Sequence, residues 1–163
     1  MRKRLITALV AALAVVSHGV LSADFGEGLR AYDAGDYATA RDEWLALARR
    51  GDVDAQVAIA GLYRSGLGLP QSDVDAAEWY GRAAENGHAV AQVNLAEMYS
   101  LGRGVRRDLA LAMFWLSLAA EQGHAWAREQ GDKLAARLSD DDRVRAERLL
   151  ADWRAGGRAT GGP

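Results

Sequence analysis

Cysteine is absent from all 163 residues, and proline occurs only twice. The first absence excludes disulfides, thiol chemistry and a lipid-modified N-terminal cysteine, so the folded chain must be held by its apolar core. The scarcity of proline, with half of the residues apolar and 26% charged, suits one folded domain and not a collagen-like or disordered chain. Long apolar runs are missing too, with one exception. Leu5 to Val16 is uncharged over 12 residues and follows the basic Met1-Arg2-Lys3-Arg4. It is too short to cross a hydrocarbon layer of about 30 Å as a helix. With the small residues Ser22 and Ala23 behind it, it reads as a secretory signal peptide, residues 1–23, cleaved after Ala23. An uncleaved anchor is the alternative. The mature chain is then expected to have no stable membrane anchor and to be exported, periplasmic or secreted. Loss of the signal's three positive charges moves the formal balance from −2 to −5, with 17 basic residues against 22 acidic ones. That balance favours neither nucleic acid nor an acidic membrane surface as a partner.

What is present is repetition. Between residues 55–88 and 91–124, offset by 36, 14 of 34 positions are identical. Ala55-Gln56-Val57 returns as Ala91-Gln92-Val93, Ala60 and Tyr63 as Ala96 and Tyr99, and Gly66-x-Gly68 as Gly102-x-Gly104. Ala76 and Trp79 recur as Ala112 and Trp115, and Ala-Ala-Glu-x-Gly-His ends both copies, at His88 and His124. Self-similarity at such a period marks a helical repeat array. Within one copy, Ala55, Ile59, Leu62 and Tyr63 form the apolar stripe of a first helix. Gly66 and Gly68 are suited to the positive-φ conformation that ends it, and Ser72-Asp73 caps a second helix whose stripe is Ala76, Trp79, Tyr80, Ala83 and Ala84. The recurrent alanines predict close approach of antiparallel helices, near the short end of the usual ~8–10 Å.

The flanks read as worn copies. Tyr32, Gly35, Ala40, Trp44, Ala48 and Gly51 keep the pattern, but Tyr32 to Ala40 is eight residues where Tyr63 to Ala76 is thirteen, so the first loop is tighter. Ala125-Trp126-Ala127 restarts a first helix, and Ser139 caps a last one through about Trp153, whose Leu149, Leu150 and Trp153 are expected to seal the open end. The domain should cover 24–155, as hairpins at about 24–51, 53–87, 89–123 and 125–155, with 156–163 a loose tail.

The phrase A-Q-x-x-L-A-x-x-Y-x-x-G-x-G-V…D…A…W…A-A-E-x-G-H resembles the Sel1-like repeat, a relative of the tetratricopeptide repeat. The resemblance implies an all-α, right-handed α-solenoid of antiparallel helical hairpins. It implies less about function: such proteins are mostly adaptors that assemble other proteins. Two departures stand out. Leu118 occupies the place of Arg82, read here as a surface-leaning position, and Ala60 and Ala96 stand where the family usually has glycine.

Chemistry is sparse. His88 and His124 fall in successive repeats, too far apart to share an ion at ~2.1 Å bonds, and read as half-exposed residues between helices. Serines are few, and Asp52/Asp54 and Asp73/Asp75 lie at helix starts, where the helix dipole favours negative charge. Gly66-x-Gly68 follows a helix and lacks the Lys-Ser/Thr of a phosphate loop. The chain is therefore expected to be no enzyme and to take no cofactor or metal. Trp44, Trp79 and Trp115 are expected in the core, while Trp126 is either a partner anchor or cap packing. By analogy with tetratricopeptide units, the concave groove would present Arg30, Asp33, Asp54, Val57, Arg64, Val93, Glu97, Trp126, Glu129 and Lys133. This mixed-sign set fits a peptide or helix of a protein partner. An envelope enzyme or glycan-binding protein, and a scaffold acting as an oligomer, are the other readings.

Overall fold

The computed structural model describes residues 23–156. The expected signal peptide, save Ala23, and the tail beyond Gly156 lie outside the described residues. Among the described residues every regular element is helical: α1 (Phe25–Asp33), α2 (Tyr37–Arg49), α3 (Val53–Ser65), α4 (Asp73–Glu85), α5 (Ala89–Leu101), α6 (Leu109–Glu121), α7 (Ala125–Ala135) and α8 (Asp140–Arg154). Neighbours in sequence pack together from α1 to α7, as a solenoid of helical hairpins requires.

Each helix begins where a side chain can accept from its orphan N–H groups. Asp36, Asp52, Ser72, Asp108 and Ser139 cap α2, α3, α4, α6 and α8, each contact contributing about 1 kcal/mol. His88 and His124 do the same for α5 and α7: Nδ1 accepts from the Ala91 and Ala127 N–H, each at 3.3 Å. The repeated histidine is thus a helix start, a role that the reading of it as a half-exposed spacer missed.

The G-x-G loops have two separate duties. Gly66 and Gly102, at φ 68° and 69°, end α3 and α5 in the left-handed conformation. Gly68 and Gly104 also have positive φ, and they press against backbone: a Cβ would lie 2.4 Å from the Tyr37 carbonyl oxygen at Gly68 and 2.0 Å from that of Asp73 at Gly104. The loop inside one hairpin therefore rests on the first residue of the second helix of the preceding hairpin. Gln56 and Gln92 tie the same units from the other side. Both are buried, and each donates Nε2–H at 3.2 Å to the carbonyl of Ala48 or Ala84, near the end of the preceding helix.

Alanines 60, 76, 77, 83, 84, 91, 96, 112, 119 and 127 are almost completely buried in the larger of two core clusters, with Leu95, Phe114 and Trp115 filling the spaces between backbones. The smaller cluster holds Ala40, Trp44, Ala48, Ile59 and Leu62. Trp44 and Trp115 are core residues as expected, but Trp79 is only half-buried. It straddles both clusters, and its outer face carries the Arg82 guanidinium, 4.5 Å from the ring centroid. Leu118 corrects another expectation: the position is exposed as Arg82 in α4 but buried as Leu118 in α6.

The last pair differs from the other three. α8 packs mainly on α6, and less on α7. Arg145 pairs with Asp108 at the start of α6 and Arg154 with Glu121 at its end, so α8 runs parallel to α6. Trp153 stacks edge-on against Phe114 and Trp115, each at 5.8 Å between centroids, and Leu149 and Leu150 pack beside it. This closes the apolar end of the array, as a terminal unit must.

Candidate functional site

The first helices of the hairpins, α3, α5 and α7, lie side by side, and the two junctions between them are built from equivalent positions. At the α3–α5 junction, Arg64 leaves the last turn of α3, donates from Nη1 to Asn94 Oδ1 at 2.7 Å and comes within 4.0 Å of Glu97. Its guanidinium stands 5.8 Å from the centroid of the Tyr80 ring below. Burial pushes the Tyr80 hydroxyl above its ordinary value of 10.0, against the opposing influence of Arg64, so it stays neutral near pH 7. A long cation and an aromatic ring fill that junction.

At the α5–α7 junction the corresponding residues, one period of 36 later, are Ser100 and Leu116. Both are shorter. Ser100 folds back, its hydroxyl donating to the Glu97 carbonyl at 2.8 Å. The space Arg64 occupies in the first junction is here an open cleft of about 260 Å³. Val93, Ala96, Leu116 and Leu134 supply apolar lining, Leu101 and Trp126 stand at its edges, and Glu97, Gln130, Lys133 and Arg137 supply polar groups. Trp126 is 46% exposed and Leu101 54%. Two large apolar side chains are thus left in water beside an apolar hollow.

The ten residues assigned to the groove from the sequence divide accordingly. Val93, Glu97, Trp126 and Lys133 line the cleft. Arg64 fills the neighbouring junction, and Glu129 holds Lys133 by an ion pair of 2.5 Å. Val57 is packed partly into the core. Asp54 is engaged by His88 Nε2 at 3.1 Å; since Nδ1 of that ring accepts from a backbone N–H, Nε2 carries the proton and donates. Arg30 pairs with Glu27 on its own helix, whose hydrogen bond raises the guanidinium further above its ordinary value, and Asp33 is exposed at the end of α1; neither reaches the cleft. Sequence reasoning missed the other lining residues, Ala96, Ser100, Leu101, Leu116, Gln130, Leu134 and Arg137. Signals were present where the copies differ: Ser100, Leu101 and Leu116 stand where the first copy has Arg64, Ser65 and Tyr80.

Among the described residues, no group of three or more His, Asp or Glu side chains is arranged to hold a metal ion, and no helix is long and apolar enough to cross a membrane.

Comparison with known proteins agrees with this architecture. The Sel1 repeat family matches residues 53–88 and 89–124. A protective antigen of uropathogenic Escherichia coli strains displaying an SLR fold superposes with a TM-score of 0.73 at 26% identity, covering 81% of this chain and 29% of that one. A Sel1 repeat protein from Oxalobacter formigenes superposes with a TM-score of 0.67 at 28% identity, covering 83% of this chain and 64% of that one. The chain thus spans less than two thirds of the length of either neighbour. No curated protein matches it significantly. Sel1 repeat proteins generally mediate protein–protein interactions, and the fold is typically a non-catalytic scaffold. Residues 53–124 match two consecutive Sel1 repeats, and the described residues form an all-helical array consistent with an α-solenoid, like these Sel1/SLR-repeat neighbours.

Proposed function

We propose that this protein is an exported, non-catalytic adaptor that holds a segment of a protein partner in the concave groove formed by α3, α5 and α7. The observation that carries the reading is the α5–α7 cleft with Trp126 exposed beside it. The helices are capped and the core is closed at α8, so folding leaves this hollow without an internal role. A groove of four hairpins is short, and an interface near the low end of ~1,200 Å² implies weak or transient binding. Export rests on the basic n-region and the apolar run of residues 5–16.

Affinity capture from an envelope extract, comparing the wild-type protein with Trp126→Ala, tests the interaction. A specific protein retained by the wild type and lost in the variant is expected; identical recovery from both would remove the groove from the function. N-terminal sequencing after expression in a Gram-negative host tests export: a chain starting at Asp24 is expected, and one starting at Met1 contradicts it.

A further inference from the structure

The charged groups around the α5–α7 cleft are not equally engaged. Lys133 Nζ is 2.5 Å from Glu129 Oε1, and Glu97 faces Arg64 at 4.0 Å. Arg137, on the turn after α7, lines the cleft and forms no side-chain hydrogen bond or ion pair among the described residues. Counting these groups, three cations (Arg64, Lys133, Arg137) meet two carboxylates (Glu97, Glu129). The excess is positive in a chain whose net charge is −2. Local and overall sign are opposed, and the surplus lies on the one guanidinium free to form a two-pronged bond.

The hollow itself is small. At about 260 Å³ it lies below the ~300–1,000 Å³ of pockets that enclose a small-molecule ligand. It has an apolar floor and two exposed apolar walls, which suits a single large side chain projecting from a longer ligand.

We infer that the cleft takes a peptide segment in which one large apolar residue, leucine or phenylalanine, is flanked by a carboxylate. The apolar side chain enters between Leu101 and Trp126 onto Ala96, Leu116 and Leu134, and the carboxylate accepts from the Arg137 guanidinium. Arginine suits that second contact because its planar fork matches a carboxylate's two oxygens. The inference rests on the adaptor reading and adds to it a ligand chemistry. It also explains why the site is at this junction and not the previous one, where Arg64 and Tyr80 occupy the equivalent space.

The test uses the whole protein and three fluorescent peptides alike except for the residues beside a central leucine: aspartate, asparagine or lysine. Affinities are read by polarisation for wild type, Arg137→Gln and Ser100→Arg, and thermal melts establish that each variant folds. The aspartate peptide should bind wild type about tenfold more tightly than the asparagine peptide, as expected for a charge-assisted bond, with the lysine peptide weakest. Arg137→Gln should erase the preference while retaining binding, and Ser100→Arg, which fills the hollow, should weaken all three. Equal affinity of the three peptides for wild type would overturn the acidic selection and leave the groove as a peptide site. Absence of binding by any peptide would overturn the ligand chemistry altogether. If the capture experiment still returned a partner lost in Trp126→Ala, the adaptor reading would survive that outcome; if it returned none, both would fall.

Discussion

The α3–α5 and α5–α7 junctions are two castings from one mould, and they are finished in opposite ways. On the groove side, Arg64 and Tyr80 fill the first, while Ser100 and Leu116 leave the second open. On the buried side the two copies differ as well, in the glutamines that tie each first helix to the hairpin before it. Gln92, which ties α5 to α4, has both ends of its amide satisfied, Nε2 by Ala84 and Oε1 by Gln122 Nε2 at 2.8 Å. Gln56, which ties α3 to α2, has the bond to Ala48 but a buried Oε1 without a partner. The residue equivalent to Gln122 is Asn86, one methylene shorter, whose amide turns back to the Arg82 carbonyl at 2.8 Å. A repeat motif therefore conveys how hairpins stack, while the few non-identical positions decide what each junction leaves exposed or unpaired.

Breaking the shared frame should have the largest effect. Gly104→Ala combines a left-handed residue with a Cβ driven into the Asp73 carbonyl, and the sum of backbone strain and overpacking predicts a loss of about 2–5 kcal/mol. Chemical denaturation measures it, with Gly68→Ala, against the Tyr37 carbonyl, as the companion in the first copy. Trp126→Ala comes next in size, but in binding: loss of an exposed aromatic anchor should cost about 2 kcal/mol of partner affinity with stability within about 0.5 kcal/mol of wild type. Titration calorimetry with the captured partner, beside a thermal melt, separates the two. A smaller change comes from completing the Gln56 amide. Asn86→Gln extends the amide toward Gln56 Oε1 and should stabilise by about 1 kcal/mol, the net worth of one hydrogen bond, whereas Gln122→Asn should cost about as much. The smallest effect concerns caps. Asp36 is held below its ordinary carboxylate value of 3.8 by the hydrogen bond from the Thr39 hydroxyl, then by its backbone N–H. That contribution is complete above the unfolded value and is lost as pH falls through the folded one, below about 3.8. Asp36→Asn should therefore flatten the acid side of the stability profile slightly. Ser72→Ala, at a cap with nothing to titrate, should lower the whole profile without changing its slope.

Much of the fold was legible in the sequence because it follows from local and periodic causes. The offset of 36, the helix-ending glycines, the Ser72 and Ser139 caps and the alanine stripes each depend on residues within one or two turns or on the period itself. Misreadings fell where the partner is distant in sequence. Trp79 carries a regular stripe position, yet it bridges two clusters and ends half-buried beneath Arg82. Leu118 looked like an exposed slot because Arg82 is one, whereas in α6 it is buried in the larger cluster. Of the groove residues, the helix-face analogy found Trp126, Val93, Glu97 and Lys133. It could not show that Arg64 reaches 30 positions onward to Asn94, or that Ser100 fails to do the same. The cleft is the consequence of a side chain that is not there, and no pattern of apolar spacing registers that.

Ser100→Arg tests the central claim most directly, since it rebuilds in the second junction the residue that fills the first. The measurement is the affinity of wild type and variant for the aspartate-flanked leucine peptide, with melting temperatures determined on the same preparations. A closed cleft predicts at least about a tenfold loss of affinity, equivalent to 1.4 kcal/mol, at an unchanged or slightly raised melting temperature. Unchanged affinity in a folded Ser100→Arg protein would contradict the assignment of binding to this cleft.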